Sequence, residues 1–252
     1  MRKTLIVAAC LLVSIGLGHR ALAQEQEIDV PADAVAESEP LLSGWTFGLS
    51  GGWDENTPVI TMPTYADKLQ YLKNSGSTFG ITAKYAFTKW LYGRADVMWV
   101  QKNYKMNRIA EGTSSAILNG EYTNNYLSVP VMAMVSFGYD FRVFAYFGGY
   151  VGYWNSGRRK GNSFSMNYLL YGDLASTEYD EGWGFDNTRD NRFDGGLVFG
   201  GGAAYTFLQH YEVSAEARYY YGLTDIQKDY MANRIPHYNS TLAVQFGAAY
   251  KF

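Results

Sequence analysis

Hydrophobic and polar positions alternate along most of this chain, and nowhere more cleanly than over its last residues, Leu242 to Phe252. Leu242, Val244, Phe246, Ala248, Tyr250 and Phe252 share one face of an extended segment, while Thr241, Ala243, Gln245, Gly247, Ala249 and Lys251 share the other. A period of two over about ten residues suits a tilted strand crossing a bilayer, with lipid on one side and a polar interior on the other. The same pattern predicts seven earlier strands. The first covers Gly44–Trp53 and the second Ser77–Phe87. In the third, about Trp90–Asn103, Leu91, Gly93, Ala95, Val97 and Trp99 face lipid, and Arg94, Asp96 and Lys102 face inward. The fourth is about Tyr122–Phe137. The fifth, Phe141–Trp154, carries aromatics on both faces, so its sides stay ambiguous. The sixth is about Phe193–Phe207. The seventh, Tyr211–Leu223, places Val213, Ala215, Ala217 and Tyr219 outward and Glu212, Ser214, Glu216 and Arg218 inward.

Composition supports a barrel over a soluble enzyme. Aromatics make up 17% of the chain, with 22 tyrosines, an excess that girdles at two membrane interfaces would use. Glycine is frequent, as closely packed, curved strands require. Mean hydropathy is slightly negative, which is expected where only alternate residues meet lipid. The first residues have the form of a secretory signal peptide, 1–23: Arg2 and Lys3, a short apolar stretch from Leu5 to Leu17, then Ala21-Leu22-Ala23 before Gln24. Cleavage ahead of Cys10 would leave an apolar core of only about half a dozen residues, short of the usual 7–15, so lipidation is set aside. Cys10 is the only cysteine, which leaves the mature chain without disulfides. Residues 24–43 carry Glu25, Glu27, Asp29, Asp33, Glu37 and Glu39 and no base, and read as an acidic, flexible lead-in to the barrel at 44–252. From Gly44 onward acids and bases are equal in number. Without a basic face, nucleic acid is no partner.

Connection lengths set the topology. Links after strands two, four and six are short: Thr88-Lys89, Gly138-Tyr139-Asp140 and Leu208 to His210. The others are long: Asp54–Gly76, Tyr104–Glu121, Asn155–Arg192 and Thr224–Asn239. Strict alternation requires an even strand count. The expectation is an all-β, transmembrane, antiparallel up-and-down barrel of eight strands with short periplasmic turns, long extracellular loops and both termini periplasmic. A further hairpin through Ser163–Tyr171 would make ten. More economically, hairpin arms run beyond the membrane there and in the second loop, where Asn119-Gly120 is a good two-residue turn. Pro130 lies inside the fourth strand, where it removes a ladder hydrogen bond, so a bulge or a broken ladder is expected.

Several segments carry a family resemblance. Tyr126-Leu-Ser-Val-Pro130-Val-Met, Tyr146-Phe-Gly-Gly-Tyr-Val-Gly-Tyr153, Arg192-Phe-Asp194-Gly-Gly-Leu-Val-Phe-Gly200-Gly-Gly202 and Glu216-Ala-Arg218-Tyr-Tyr-Tyr-Gly222-Leu-Thr-Asp-Ile226 resemble strand motifs of the PorT-like outer-membrane β-barrel family of Gram-negative bacteria. Ser128 stands where that family often has an acid before the proline. The resemblance covers Gly44 to Phe252. It implies the fold and the outer membrane, and, through the family's name-giving member, an accessory role in a secretion or envelope assembly. The terminal strand with Tyr250 and Phe252 also looks like the assembly signal read by the barrel-assembly machinery.

Candidate chemistry is sparse. The inward-facing polar cluster is Lys84, Arg94, Asp96, Asp194, Glu216 and Arg218. An eight-stranded barrel is just wide enough for side chains to fill it, and charges buried there must be paired. An ionic plug is therefore the expectation, and a small passive pore or proton path the alternative. Catalysis at the rim, as a lipid-modifying enzyme, would have to use His237 with Asp225, Asp229 and Ser240, because His210 falls in a short turn. One loop histidine with nearby acids is weak ground, so no enzyme and no cofactor is expected. The third loop holds Asp173, Glu178, Asp180, Glu181, Asp186 and Asp190 without EF-hand spacing, so no metal is expected. Its basic run Arg158-Arg159-Lys160 could bridge lipopolysaccharide phosphates. Trp183 and Phe185 are expected to pack the loop on its own stem more readily than to form a ligand patch.

Overall fold

The alternating segments close on themselves. In the computed structural model, which describes residues 44–60, 69–109, 116–164, 176–228 and 236–252, ten strands form one antiparallel sheet: β1 (Trp45–Ile60), β2 (Leu69–Ala86), β3 (Leu91–Gln101), β4 (Tyr104–Ile109), β5 (Ala116–Gly138), β6 (Phe141–Phe164), β7 (Ser176–Gly182), β8 (Phe193–Phe207), β9 (Tyr211–Gly222) and β10 (His237–Lys251). Eight of them make the ring, in the order β1, β2, β3, β5, β6, β8, β9, β10 and back to β1. The seam joins first and last strands, with Phe47 opposite Tyr250 and Trp53 opposite Val244. Closure leaves the ring no unpaired edge, which is what a backbone surrounded by lipid requires. The segments expected to be signal peptide and lead-in, 1–23 and 24–43, lie outside the described residues.

β4 and β7 belong to the wall above the ring. β4 continues the line of β3 after a break at Lys102-Asn103, and pairs with β2 on one side and β5 on the other. Asparagine side chains staple the break. Asn103 donates to the carbonyl of Ser75 (2.9 Å) and accepts from the main-chain N–H of Asn124 (3.1 Å), and Asn124 donates to the carbonyl of Lys102 (3.2 Å). β7 pairs with the far end of β6, so the third long link is a hairpin extending past the membrane rather than two more ring strands.

Lipid-facing residues mark the membrane. Trp45, Phe47, Leu49 and Trp53 of β1 point outward and exposed, as do Phe79 and Ile81 of β2 and Leu242 and Phe246 of β10. Trp45 to Trp53 is roughly 26 Å of strand. At a tilt of about 40°, this covers most of a typical ~25 Å apolar band. Beyond that band the strands run on, to Ile60 in β1 and Phe164 in β6, and β10 begins at His237, before the first lipid-facing residue Leu242.

Two local expectations need correction or refinement. Asn119-Gly120 is not a turn. Both residues lie within β5, paired with Asn107 and Met106 on one side and Asn162 and Gly161 on the other. Gly120 is small for another reason, since a Cβ there would stand 2.8 Å from the Tyr179 hydroxyl and 3.0 Å from the Tyr122 ring. Pro130 keeps its register with Tyr150, and the register shift in that ladder falls instead between Asn125 and Tyr126. The ladder to β3 pairs Ala95 with Val131 and resumes at Met98 with Ser128. The proline thus interrupts one ladder without a bulge of its own, as its missing N–H dictates. The short turns stand where expected. Gly138 has φ 116°, and Leu208 and Gln209 have φ 51° and 63°, the two left-handed residues of a tight hairpin turn without the usual Asn-Gly.

Candidate functional site in the barrel interior and outer mouth

Three charged layers fill the interior. Nearest the short turns, Glu212 of β9 receives both Lys84 of β2 and Arg142 of β6. In the middle, Arg94 grips Glu216 with both terminal nitrogens (2.6 and 3.1 Å) and donates through Nε to Asp96 (3.0 Å). Arg218 completes that layer, donating to Asp96 (2.6 Å), Glu216 (2.8 Å) and the hydroxyls of Tyr146 and Tyr220 (3.1 and 3.0 Å). Thr82 adds a bond to Asp96 (2.5 Å). In the third layer Lys102 donates to Asp194 (2.6 Å) and sits over the rings of Tyr150, Tyr126 and Tyr220 at 4.6, 5.2 and 5.5 Å.

The six residues expected to share one inward cluster fall in three layers. Arg94, Asp96, Glu216 and Arg218 meet as one four-charge layer, Lys84 lies below them and Asp194 above. Arg142 went unassigned because both faces of β6 carry aromatics; the signal was its odd position after Phe141, two short of Phe144 on the same buried side. Tyr250 and Phe252 point outward at the short-turn end, where Phe252 meets the edges of Phe47 and Tyr250 at 5.9 and 4.9 Å.

The outer half has an aromatic core of its own. Tyr104 stacks on Tyr122 (4.7 Å between centroids), Tyr122 meets Trp183 (6.0 Å), and Trp183 and Phe185 pack on Trp154 (5.7 and 4.9 Å). Trp183 and Phe185 of the third loop thus pack on its stem. Its basic run is matched by β7: Arg158 pairs with Asp180 and Arg159 with Glu181, each at 2.6 Å. Asp173 lies outside the described residues. Among the described residues no three His, Cys, Asp or Glu side chains converge as metal ligands.

His237 closes this core at the far end of β10. The pairing of β1 with β2 stops at Asn56–Asn74, and beyond it the His237 ring lies edge-on to Tyr71 (5.6 Å) and Tyr104 (5.2 Å). Among the described residues the rim triad is not assembled. His237 Nε2 has no hydrogen-bond partner, Asp225 accepts the main-chain N–H of His237 rather than the ring (3.1 Å), and Ser240 is bonded to Tyr219. Asp229 lies outside the described residues. Burial pulls the imidazole down from 6.5 to about 4, opposed by the smaller pull of Asp225. The folded chain thus takes up this proton later than the unfolded chain does. The neutral ring's contribution is fully present above about pH 6.5 and is lost as pH falls towards 4, by about 3 kcal/mol in all. Unfolding midpoints measured across that window should fall less steeply for His237→Phe, which keeps an aromatic ring and cannot titrate.

A protein-family model described as "Outer membrane protein beta-barrel domain" matches residues 23–228. The chain belongs to this family. Among solved structures it is similar to the outer membrane protein OprG of Pseudomonas aeruginosa (12% identity, 84% of this chain and 97% of that one, TM-score 0.45). It is also similar to the attachment invasion locus protein Ail of Yersinia pestis (13%, 82% and 98%, TM-score 0.37) and to the outer membrane protease OmpT of Escherichia coli (10%, 85% and 98%, TM-score 0.39). No curated protein sequence matches it. Family and closed sheet together make it a β-barrel of the outer membrane.

Proposed function

We propose that this protein is a shut, non-catalytic barrel whose work is done by the surface beyond the long links, as a structural or surface-interaction protein or as an accessory to a secretion or envelope assembly. The observation that carries this reading is the stack of charged layers. Arg218, Asp96 and Lys102 are at most 1% exposed in an interior where every layer spans from one wall to the opposite one. The PorT-like strand motifs favour the accessory role. In this reading residues 1–23 are removed on export and 24–43 lead into the barrel. Short turns and both termini face the periplasm, the aromatic outer core faces outward among lipopolysaccharide, and the strand ending at Phe252 serves the assembly machinery. Purified protein in planar bilayers should then give no discrete conductance steps. Steps in the unaltered protein would favour the passive-pore alternative.

A further inference from the structure

The layer nearest the short turns is not charge-balanced, and we propose that it binds one small monovalent anion of halide size against Arg142. Lys84 and Arg142 share a single carboxylate, Glu212, and all three side chains are at most 13% exposed. Arg142 uses Nη1 on the Tyr92 hydroxyl (3.1 Å) and Nη2 on Thr206 (3.2 Å) and Glu212. Its Nε is buried and has no partner. A desolvated guanidinium donor without an acceptor is costly, and two cations on one acid leave a positive charge to be met.

The space is there. A cavity of about 20 Å³ is bounded by Lys84, Arg142, Glu212, Lys251, Thr46 and Ser136, enough for one water-sized occupant. Lys251 adds a further cation at its lip. At the far end of the interior the one buried cation among the described residues, Lys102, is matched by Asp194. An anion is therefore drawn to the short-turn end. A water molecule could accept from Nε but would leave the charge unmet. A phosphate ester is too large for the space.

Two measurements on the full chain test this. Crystals grown in bromide should show anomalous density within hydrogen-bonding reach of Arg142 Nε, and this peak should vanish in Arg142→Lys, which keeps the charge and removes the donor. Lys84→Met serves as a second variant, also expected to lose the peak, should Arg142→Lys fail to fold. In solution, the Arg142 Nε–H resonance should shift saturably with chloride and stay still with gluconate at equal ionic strength. Water alone at Nε in bromide-grown crystals, or equal shifts with chloride and gluconate, overturns the proposal. A response to acetate or to a polyglutamate peptide but not to halide also overturns it, by identifying a carboxylate as the occupant.

Discussion

Arg218→Met is expected to destabilise the barrel by about 3–5 kcal/mol, the usual cost of removing one partner from a buried ionic set. The Arg218 side chain is fully buried and its Nη2 alone serves both Asp96 and Glu216. Methionine fills comparable volume, so the loss is electrostatic rather than a cavity. Two buried carboxylates are then left to Arg94, which already forks onto Glu216. Tyr146 and Tyr220 lose their acceptor role at the same time. Replacing all four charges of the layer with apolar residues of similar volume should cost much less, because no uncompensated charge remains. Reversible urea unfolding from lipid vesicles, followed by tryptophan fluorescence, measures both. An unchanged midpoint for the single variant would mean that this layer does not hold the wall. The pairing joins β3 to β9, strands that are not neighbours in the ring, so the same layer ties opposite walls together across the interior.

What could be read from the sequence follows from the period of two. That period alone places Arg94, Asp96 and Lys102 on one side of β3, and Glu212, Glu216 and Arg218 on one side of β9. It cannot say who meets whom, because cross-lumen partners depend on strand tilt and stagger around the closed ring. Lys84 and Asp194 thus share the predicted face with the middle layer yet lie in different layers. β6 hid Arg142, since an aromatic on each face erases the contrast. The pattern also fades past the membrane, where neither face meets lipid. For that reason β1 was expected to stop at Trp53 and continues to Ile60. Asn119-Gly120 failed for a related reason: local turn chemistry is overridden where β5 is paired on both sides. His237 was legible as a loop histidine near acids, but its true neighbours, Tyr71 and Tyr104, come from strands far away in sequence.

The membrane itself can be mapped by moving one charge along β5. Val131 and Phe137 both point outward and both are 61% exposed, so in water arginine would be tolerated about equally at either. Val131 sits near the middle of the outward row from Leu127 to Phe137, opposite Ala95 and Gly149, with no polar group on its own face to receive a guanidinium. Phe137 lies at the end of the row, next to the Gly138 turn, within reach of the interface. Val131→Arg should therefore cost about 2–4 kcal/mol in lipid and Phe137→Arg about 0–1, the depth dependence found for lipid-facing barrel positions. Unfolding from vesicles gives both values, and unfolding in detergent micelles, whose apolar layer deforms more readily, should narrow the gap. Equal costs at the two sites would place the bilayer elsewhere on this sheet. The predicted inequality would instead confirm Trp45 to Trp53 as the span, leaving His237 and its aromatic neighbours in water beyond it, where the pH response proposed for that histidine can be reached by solvent protons.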